Sequence, residues 1–364
     1  MNLKGYIQQV SRQWQTDDAT EHSYRGMLGQ YIQSIIGNSF VVVNEPSHIE
    51  CGAPDYVVIR TSDNEPVFYI EAKDIGDNDI DGRKVHREQF DRYKGALEHI
   101  VFTDYLDFHF YERGEWTRNI RIGEIQGNRI GPKKDAKAEF EGQIKQWSQA
   151  QVESITSAVR LAKIMASKAQ LLRHVTERTM CLITNDPDDY QDSQLLQLFN
   201  AFRGLLVSDL TVKGFADMYA QTIVYGLFAA RLHDETPGNF TREEAVQLIP
   251  KSNPFLRRIF NNIAGIDLDE RVGWIVDDLV ETFAATNVSK VMKDYGKNER
   301  RNDPMVHFYE DFLTNYDQKL RKEMGVWYTP KPIVSFIVRS IHEMLKSLFH
   351  IPQGLADTSK LTIK

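Results

Sequence analysis

Apolar residues over the first hundred positions recur at helical spacing and then in short runs. Residues 20–36 repeat them every three or four positions, which predicts a helix that ends at Gly37-Asn38. Runs rich in β-branched and aromatic residues then predict strands at 40–43, 56–59 and 67–70. Helical spacing returns at 87–98, and two more strands are predicted at 99–102 and 106–111. The predicted order is helix, three strands, helix, strand, with one further strand after it.

The pattern changes after Ile130-Gly131-Pro132. Long helices are predicted at 140–179, 191–206, 214–232 and 268–286, with a brief extended break at 181–184. A second change comes near Gly325, where the run 327–330 breaks the helical pattern before a helix that starts at Pro332. We therefore predict an α/β domain over 1–131. An all-α connector over 132–324 and the start of a third domain over 325–364 follow it.

Composition is typical of folded globular domains. The chain has 364 residues, of which 41% are hydrophobic and 26% charged, so more than one core is expected. No stretch approaches the ~18 consecutive apolar residues of a membrane span, and the first residues do not resemble a secretory signal. We expect a cytoplasmic protein without a membrane partner. Cys51 and Cys181 have no zinc-ligand spacing, and both are expected to be buried or half-buried thiols.

Net charge bears on any interaction with nucleic acid. The formal charge is -7, whereas phosphate binding needs Lys and Arg on one face. Basic residues concentrate at 133–137 and 290–301, but solvated linker and helix charges are the simpler interpretation of each cluster.

Two carboxylates and one amine carry the candidate chemistry. Glu71 and Lys73 are two positions apart at the end of a predicted strand, so they point to the same face. Asp55 follows Pro54 at the start of the neighbouring strand, and a tight connection would bring its carboxylate beside Glu71. Hard oxygen ligands of this kind bind Mg²⁺, which assists phosphodiester hydrolysis, and a nearby ammonium would orient the attacking water.

Each motif alone has an ordinary explanation. Pro-Asp is a common turn dipeptide, and a Glu-x-Lys pair on a strand is usually a solvated ion pair. Together and in this order of elements, the motifs resemble the PD-(D/E)xK nuclease superfamily over roughly residues 15–110. That resemblance implies a mixed sheet flanked by helices. It also implies catalytic roles for Asp55, Glu71 and Lys73 in a Mg²⁺-dependent DNA endonuclease.

The same resemblance implies further site residues. Glu21 corresponds to a third metal ligand on the first helix, although a first-turn acid that favours the helix dipole is an equal alternative. Gln89 and Tyr93 are four apart on the predicted second helix and share a face. Gln89 is expected to touch the water or the scissile phosphate, because an amide gains little from a buried core position, whereas Tyr93 is compatible with core packing.

A second resemblance lies near the end of the sequence. The run 303–313 followed by Gly325-Val326-Trp327-Tyr328-Thr329-Pro330 resembles the entrance of gamma-class N6-adenine DNA methyltransferases. In that family the Tyr-Thr-Pro loop binds S-adenosylmethionine, which implies cofactor contacts for Tyr328, Thr329 and Pro330, although Thr329-Pro330 would also cap the following helix. The printed sequence contains neither a glycine-rich cofactor loop nor an Asn/Asp-Pro-Pro-Tyr/Phe motif. These residues alone are therefore not expected to methylate DNA, and a fragment of a longer protein is the simpler interpretation.

Taken together, the two resemblances imply a single-chain restriction-modification enzyme. No glycine-rich Lys-Ser/Thr loop is present, so the arrangement is similar to type IIG or IIL-like enzymes without a helicase. The implied partner is double-stranded DNA, with self-association for double-strand cleavage, in defence against foreign DNA. The alternative is a non-catalytic nuclease-like module that binds DNA or a partner within a phage-defence methyltransferase system.

Overall fold

The architecture of the chain follows from a computed structural model. It describes residues 1–16, 21–44, 53–62, 65–150, 154–185, 193–205, 207–234, 236, 240–249, 260, 268–296, 304–317 and 331–357. A mixed sheet with flanking helices comes first, and the rest of the described chain is mainly helical.

The first part alternates helices and strands. Helices α1 and α2 precede the sheet, α3 connects its two halves, and α4 follows it. The helices are α1 (Leu3–Trp14), α2 (Glu21–Ile36), α3 (Arg87–Ala96) and α4 (Ala136–Ser148). The strands are β1 (Phe40–Asn44), β2 (Tyr56–Arg60), β3 (Pro66–Ala72), β4 (His99–Thr103), β5 (Asp107–Glu112), β6 (Glu115–Arg121), β7 (Gly123–Gln126) and β8 (Arg129–Pro132).

Six strands form one sheet in the order β1-β2-β3-β4-β5-β6. Only β3 and β4 are parallel, because α3 returns the chain between them, and the other neighbours are antiparallel. Strands β7 and β8 form a separate hairpin. The predicted order of elements over residues 20–111 is confirmed, together with a mixed sheet.

Alternate side chains of the central strands enter two different cores. Phe68, Ile70 and Ala72 of β3 pack with residues of α1, α2 and α4 on one face. Tyr69 belongs to the core on the other face, which α3 covers and which continues into the helical part. Because neighbouring side chains on a strand point to opposite faces, Glu71 and Lys73 lie on the same side as Tyr69.

The described helices of the second part are α5 (Ala158–Asn185), α6 (Gln194–Leu205), α7 (Val212–Leu232), α8 (Arg242–Leu248), α9 (Glu270–Ala284), α10 (Val288–Gly296), α11 (Pro304–Tyr316) and α12 (Lys331–Ser347). The longest, α5, packs against α3, α7, α9 and α11. Tyr69 of the sheet also contacts Trp274 of α9, with ring centroids 5.9 Å apart. The sheet and the helical part therefore share a core.

Several sequence predictions in the helical part are wrong. The single helix predicted over 140–179 is two helices, because Ile155 exchanges backbone hydrogen bonds with Ala285 and Asn287 between them. The extended break predicted at 181–184 is helical, since buried Met180 and Ile183 continue the apolar face of α5. Cys181, expected to be buried or half-buried, is exposed on that helix, and Cys51 lies outside the described residues.

Other elements went unpredicted. Helix α1 and the strands β6, β7 and β8 have no counterpart among the predictions. Strand β6 is an edge strand with mostly exposed side chains, so it lacks the apolar run that identifies a strand. Among the described residues, no helix is both long and apolar enough to cross a membrane.

A cavity of about 460 Å³ lies where the sheet meets the helical part. Lys168 of α5, Asp278 and Glu281 of α9, and His99 of β4 line it. Lys168 and Asp278 form a buried ion pair. Burial, together with the negative charge of Asp278, raises the pKa of Glu281 from its ordinary value of 4.5 to about 9. Glu281 therefore holds its proton at neutral pH.

Glu281 generates a testable pH dependence. In the folded protein it keeps a proton that the unfolded chain releases above its ordinary pKa, so its contribution to stability falls as pH rises from 4.5 to 9. Glu281→Gln retains a neutral side chain. We expect the substitution to raise the free energy of unfolding by roughly 1–2 kcal/mol at pH 9, with little effect near pH 5.

The measurement is urea unfolding at a series of pH values. Glu243→Gln is the matched control, because Glu243 is an exposed glutamate on α8. A constant difference between wild type and Glu281→Gln across this pH range would contradict the assignment of a buried, protonated acid.

Candidate active site

The two predicted catalytic carboxylates lie opposite each other on neighbouring strands. Asp55 immediately precedes β2, and Glu71 is in β3. The antiparallel register pairs Tyr56 with Ile70, which places positions 55 and 71 next to each other at the same end of the sheet. Asp55 is 8% exposed and Glu71 is 3% exposed. Buried carboxylates are costly without compensation, so the groups around them define the site.

Asp55 is held by a cation and by the backbone. Arg25 of α2 places Nη2 2.6 Å from Asp55 Oδ1. The backbone N–H of Ala72 donates to Asp55 Oδ2 at 2.7 Å. These contacts fix the carboxylate between α2 and β3.

Glu71 is held by the lysine of its own motif and by the second helix. Lys73 Nζ lies 2.7 Å from Glu71 Oε1, and Gln89 of α3 donates to the same oxygen from Nε2 at 2.8 Å. Gln89 Nε2 also lies 3.5 Å from the hydroxyl of Tyr93, one turn along the helix. The parallel crossover between β3 and β4 brings this amide back over the end of β3.

Acidic side chains within the loop between β3 and α3, residues 73–86, stabilise the conformation of its backbone. The buried carboxylate of Asp79 accepts backbone hydrogen bonds from Arg83 and Lys84, and from His86 at 2.9 Å. The bond from His86 is the main cause that lowers the pKa of Asp79. Gly82 has φ +62°, and a Cβ there would overlap Phe90, so glycine lets the loop lie against α3. The loop thereby sets the position of the helix that carries Gln89.

The same loop is also attached to the sheet. His109 Nδ1 lies 2.6 Å from Asp81 Oδ1 in the loop, and its other ring nitrogen is 3.6 Å from Asp107. Burial by itself would lower the pKa of His109, but the nearby carboxylates of Asp107 and Asp81 raise it above the ordinary value. His109 therefore links the loop to β5.

The structure brings Asp55, Glu71, Lys73 and Gln89 together, as the sequence predicted, while their catalytic roles stay predictions. Tyr93 is fully buried, as its core interpretation anticipated, and it also contacts Gln89. Glu21 begins α2, but its side chain lies outside what the structure describes. Tyr328, Thr329 and Pro330 lie outside the described residues, so their predicted cofactor contacts stay predictions.

Arg25 is the site residue that sequence reasoning missed. It lies four positions after Glu21 on α2, so the two residues share one face of the helix. This shared face could be predicted from the sequence. The contact between Arg25 and Asp55 could not, because nothing in the local pattern specifies how α2 lies against β2.

A Mg²⁺ ion at this site would rely on two carboxylates. Among the described residues, no group of three or more His, Cys, Asp and Glu side chains is arranged around one point. Asp55 and Glu71 offer two hard oxygen ligands side by side. Mg²⁺ is usually held by one or two carboxylates together with water and substrate phosphate, so this pair fits the ion.

One comparison with known proteins matches a short segment of the chain, and another matches nearly its whole length. Residues 300–351 match the family model described as N-6 DNA Methylase. A cryo-EM structure of a DrdV-DNA complex is similar over 98% of this chain at 16% identity, with a TM-score of 0.31. The chain spans 33% of the length of that protein. No curated protein matches the chain.

The pairing of Arg25 with Asp55 leads to a prediction about stability. Arg25→Met removes the cation and leaves the buried carboxylate of Asp55 undercompensated. We expect a loss of about 2–4 kcal/mol in the free energy of unfolding, measured by urea denaturation.

A double variant supplies the control. Asp55→Asn keeps an amide oxygen that can accept the N–H of Ala72 but removes the charge. Adding Asp55→Asn to Arg25→Met should recover most of the lost stability, and equal destabilisation of the single and double variants would rule out the charge pairing as the cause.

Proposed function

We propose that residues 1–131 form a Mg²⁺-dependent DNA endonuclease of the PD-(D/E)xK kind. In this proposal the helical connector over 132–324 joins it to the start of an N6-adenine methyltransferase over 325–364. The whole would act as a restriction-modification enzyme in defence against foreign DNA. The main support for this proposal is that Asp55, Glu71, Lys73 and Gln89 lie together at one end of the sheet.

The geometry supports this assignment because the four side chains meet although they come from segments that are far apart along the chain. Two strands and a helix supply the four side chains, and Glu71 Oε1 is shared by Lys73 and Gln89 at 2.7 and 2.8 Å. A solvated surface ion pair would not need a second donor from another element or a carboxylate that is 3% exposed.

In this proposal each side chain has a different role in phosphodiester hydrolysis. Asp55 and Glu71 would hold Mg²⁺, which supplies charge stabilisation for the phosphate in the transition state. Arg25 and the N–H of Ala72 hold the carboxylate of Asp55 in place. Lys73 presents an ammonium that donates a hydrogen bond to the attacking water or to a phosphate oxygen, and Gln89 fixes Glu71 in place.

The methyltransferase part of the proposal is supported by the family match over 300–351. On this proposal the complete protein uses S-adenosylmethionine, with Tyr328, Thr329 and Pro330 against the cofactor. Helix α12 lies within the matched region and exposes an apolar face that is suited to packing against the rest of such a domain. The most exposed apolar side chains of this helix are Ile333, Phe336, Ile337, Val338 and Met344.

Lys73→Ala tests the nuclease directly. In the protein expressed from its complete reading frame, we expect DNA cleavage to fall by roughly 10²–10³-fold, because a positioned cation near the developing charge is lost. Methylation of the same DNA should be unchanged. Gel analysis of plasmid cleavage and incorporation of labelled methyl groups are the two measurements.

Lys4→Ala is the matched control, since Lys4 is an exposed lysine on α1. It should leave both activities at the wild-type level. Full cleavage by Lys73→Ala would overturn the endonuclease assignment.

One observation favours the alternative, a nuclease-like module that binds DNA or a partner without cutting. Each carboxylate already contacts a cationic side chain, Arg25 for Asp55 and Lys73 for Glu71. Calorimetry with Mn²⁺ separates the two functions. A nuclease site should bind the ion and lose it in Glu71→Gln, whereas ion binding that is absent, or equal in both proteins, would favour the module.

A further inference from the structure

A group of basic side chains lies where the nuclease helix α3 meets the helical part. Arg92 is on α3, three positions after Gln89, and His174 and Arg178 are one turn apart on α5. The two helices approach closely, since a Cβ on Gly95 of α3 would lie 3.2 Å from Ser167 Oγ of α5. The basic group therefore belongs to both parts of the protein.

Arg92 and Arg178 supply the positive charge of this group. Among the described residues, neither Arg92 nor Arg178 forms an ion pair, and the buried Nε of Arg92 and Nε2 of His174 have no hydrogen-bond partner. Burial and the positive charges of Arg92 and Arg178 together lower the pKa of His174 to about 4, so its ring is neutral at pH 7. Burial also lowers the pKa of Arg92, an effect that Arg178 increases and Glu88 opposes. The arrangement is suited to an anion.

Space for that anion is present beside α5. An open cavity of about 470 Å³ is lined by His174, Glu177, Arg178, Cys181 and Leu182. Arg178 is exposed there, whereas Arg92 and His174 are half-buried. Glu177 is the one carboxylate in this lining. An approaching ligand would therefore meet Arg178 first.

The basic group is continuous with the candidate active site. Gln89 contacts both Glu71 and Tyr93, and Arg92 follows Gln89 by nearly one turn of α3. The charge of Arg92 acts on the Tyr93 hydroxyl, as does that of Glu71. A polyanion bound at Glu71 would extend across this surface.

We propose that Arg92, His174 and Arg178 form a contact for the DNA backbone beside the catalytic carboxylates, with Arg178 meeting a phosphate and the other two groups lying behind it. This inference rests on the proposed nuclease function. It assigns the helical part a share of the DNA-binding face, in a chain whose net charge of -7 otherwise opposes DNA. A backbone contact carries no sequence preference.

The test is binding of a short fluorescein-labelled duplex to the 364-residue chain, followed by fluorescence anisotropy over a range of salt concentrations in EDTA. Each phosphate contact contributes about 0.9 to the slope of log affinity against log salt. Arg178→Ala should reduce that slope by about 1 and weaken binding roughly three- to tenfold at low salt, equally for unrelated duplexes. Arg178→Lys, which keeps the charge, should retain most of the slope.

Arg118→Ala is the matched control, because Arg118 is an exposed arginine on the edge strand β6, and it should leave the slope unchanged. Arg92→Gln, measured in parallel, should weaken binding in the same direction as Arg178→Ala. Unchanged affinity and slope in Arg178→Ala would overturn this inference, as would failure of the wild-type chain to bind the duplex.

The nuclease function and the backbone contact can be refuted independently of each other. Loss of cleavage in Lys73→Ala with a normal slope in Arg178→Ala would keep the nuclease and refute the backbone contact. A reduced slope in Arg178→Ala together with full cleavage by Lys73→Ala would support the contact and refute the nuclease assignment.

Discussion

Burying a carboxylate costs free energy unless cations and N–H groups surround it, and the end of this sheet buries two of them side by side. Arg25 reaches Asp55 from α2, while Lys73 and Gln89 reach Glu71 from the end of β3 and from α3. Three separate elements must therefore be in place before the pair is compensated. This requirement links the positions of α2 and α3 to the central strands, and it also creates the local charge distribution that a divalent cation and a phosphate would use.

The crossover between β3 and β4 is the structural means of meeting this requirement. The loop of residues 73–86 uses Asp79 to hold its own backbone and Asp81 to contact His109 on β5. These contacts place α3 so that its first turn faces Glu71 and its later residues face α5. One helix therefore serves both the candidate active site and the junction with the helical part.

At this junction the helical part packs against the sheet, so it does not only separate the domains. Tyr69 of β3 packs against Trp274, and the core on that face of the sheet continues into α5, α7 and α9. Buried polar groups, Lys168, Asp278 and Glu281, lie along the same boundary. Displacing the helical part would expose an apolar sheet face and uncover these groups, so we expect the two parts to stay associated.

The sequence by itself determined the elements and the candidate chemistry of the first part. Short runs of β-branched and aromatic residues identified β2 and β3, and the two-residue spacing of Glu71 and Lys73 placed both on one face, because strand geometry is local. Helical spacing also put Gln89 and Tyr93 together. Local patterns did not predict the elements that depend on tertiary contacts. Strand β6 is exposed and has no apolar run. Ile155 interrupts a predicted helix because it pairs with Ala285 and Asn287.

Only the tertiary structure decided which distant groups meet. The contact between Arg25 and Asp55, the proton held by Glu281 and the approach of Arg92 to His174 and Arg178 all depend on how whole elements pack. Burial and the charge of distant residues set the electrostatics of these groups. Neither quantity is encoded in the residues immediately before and after them, because both arise from segments that are far apart along the chain.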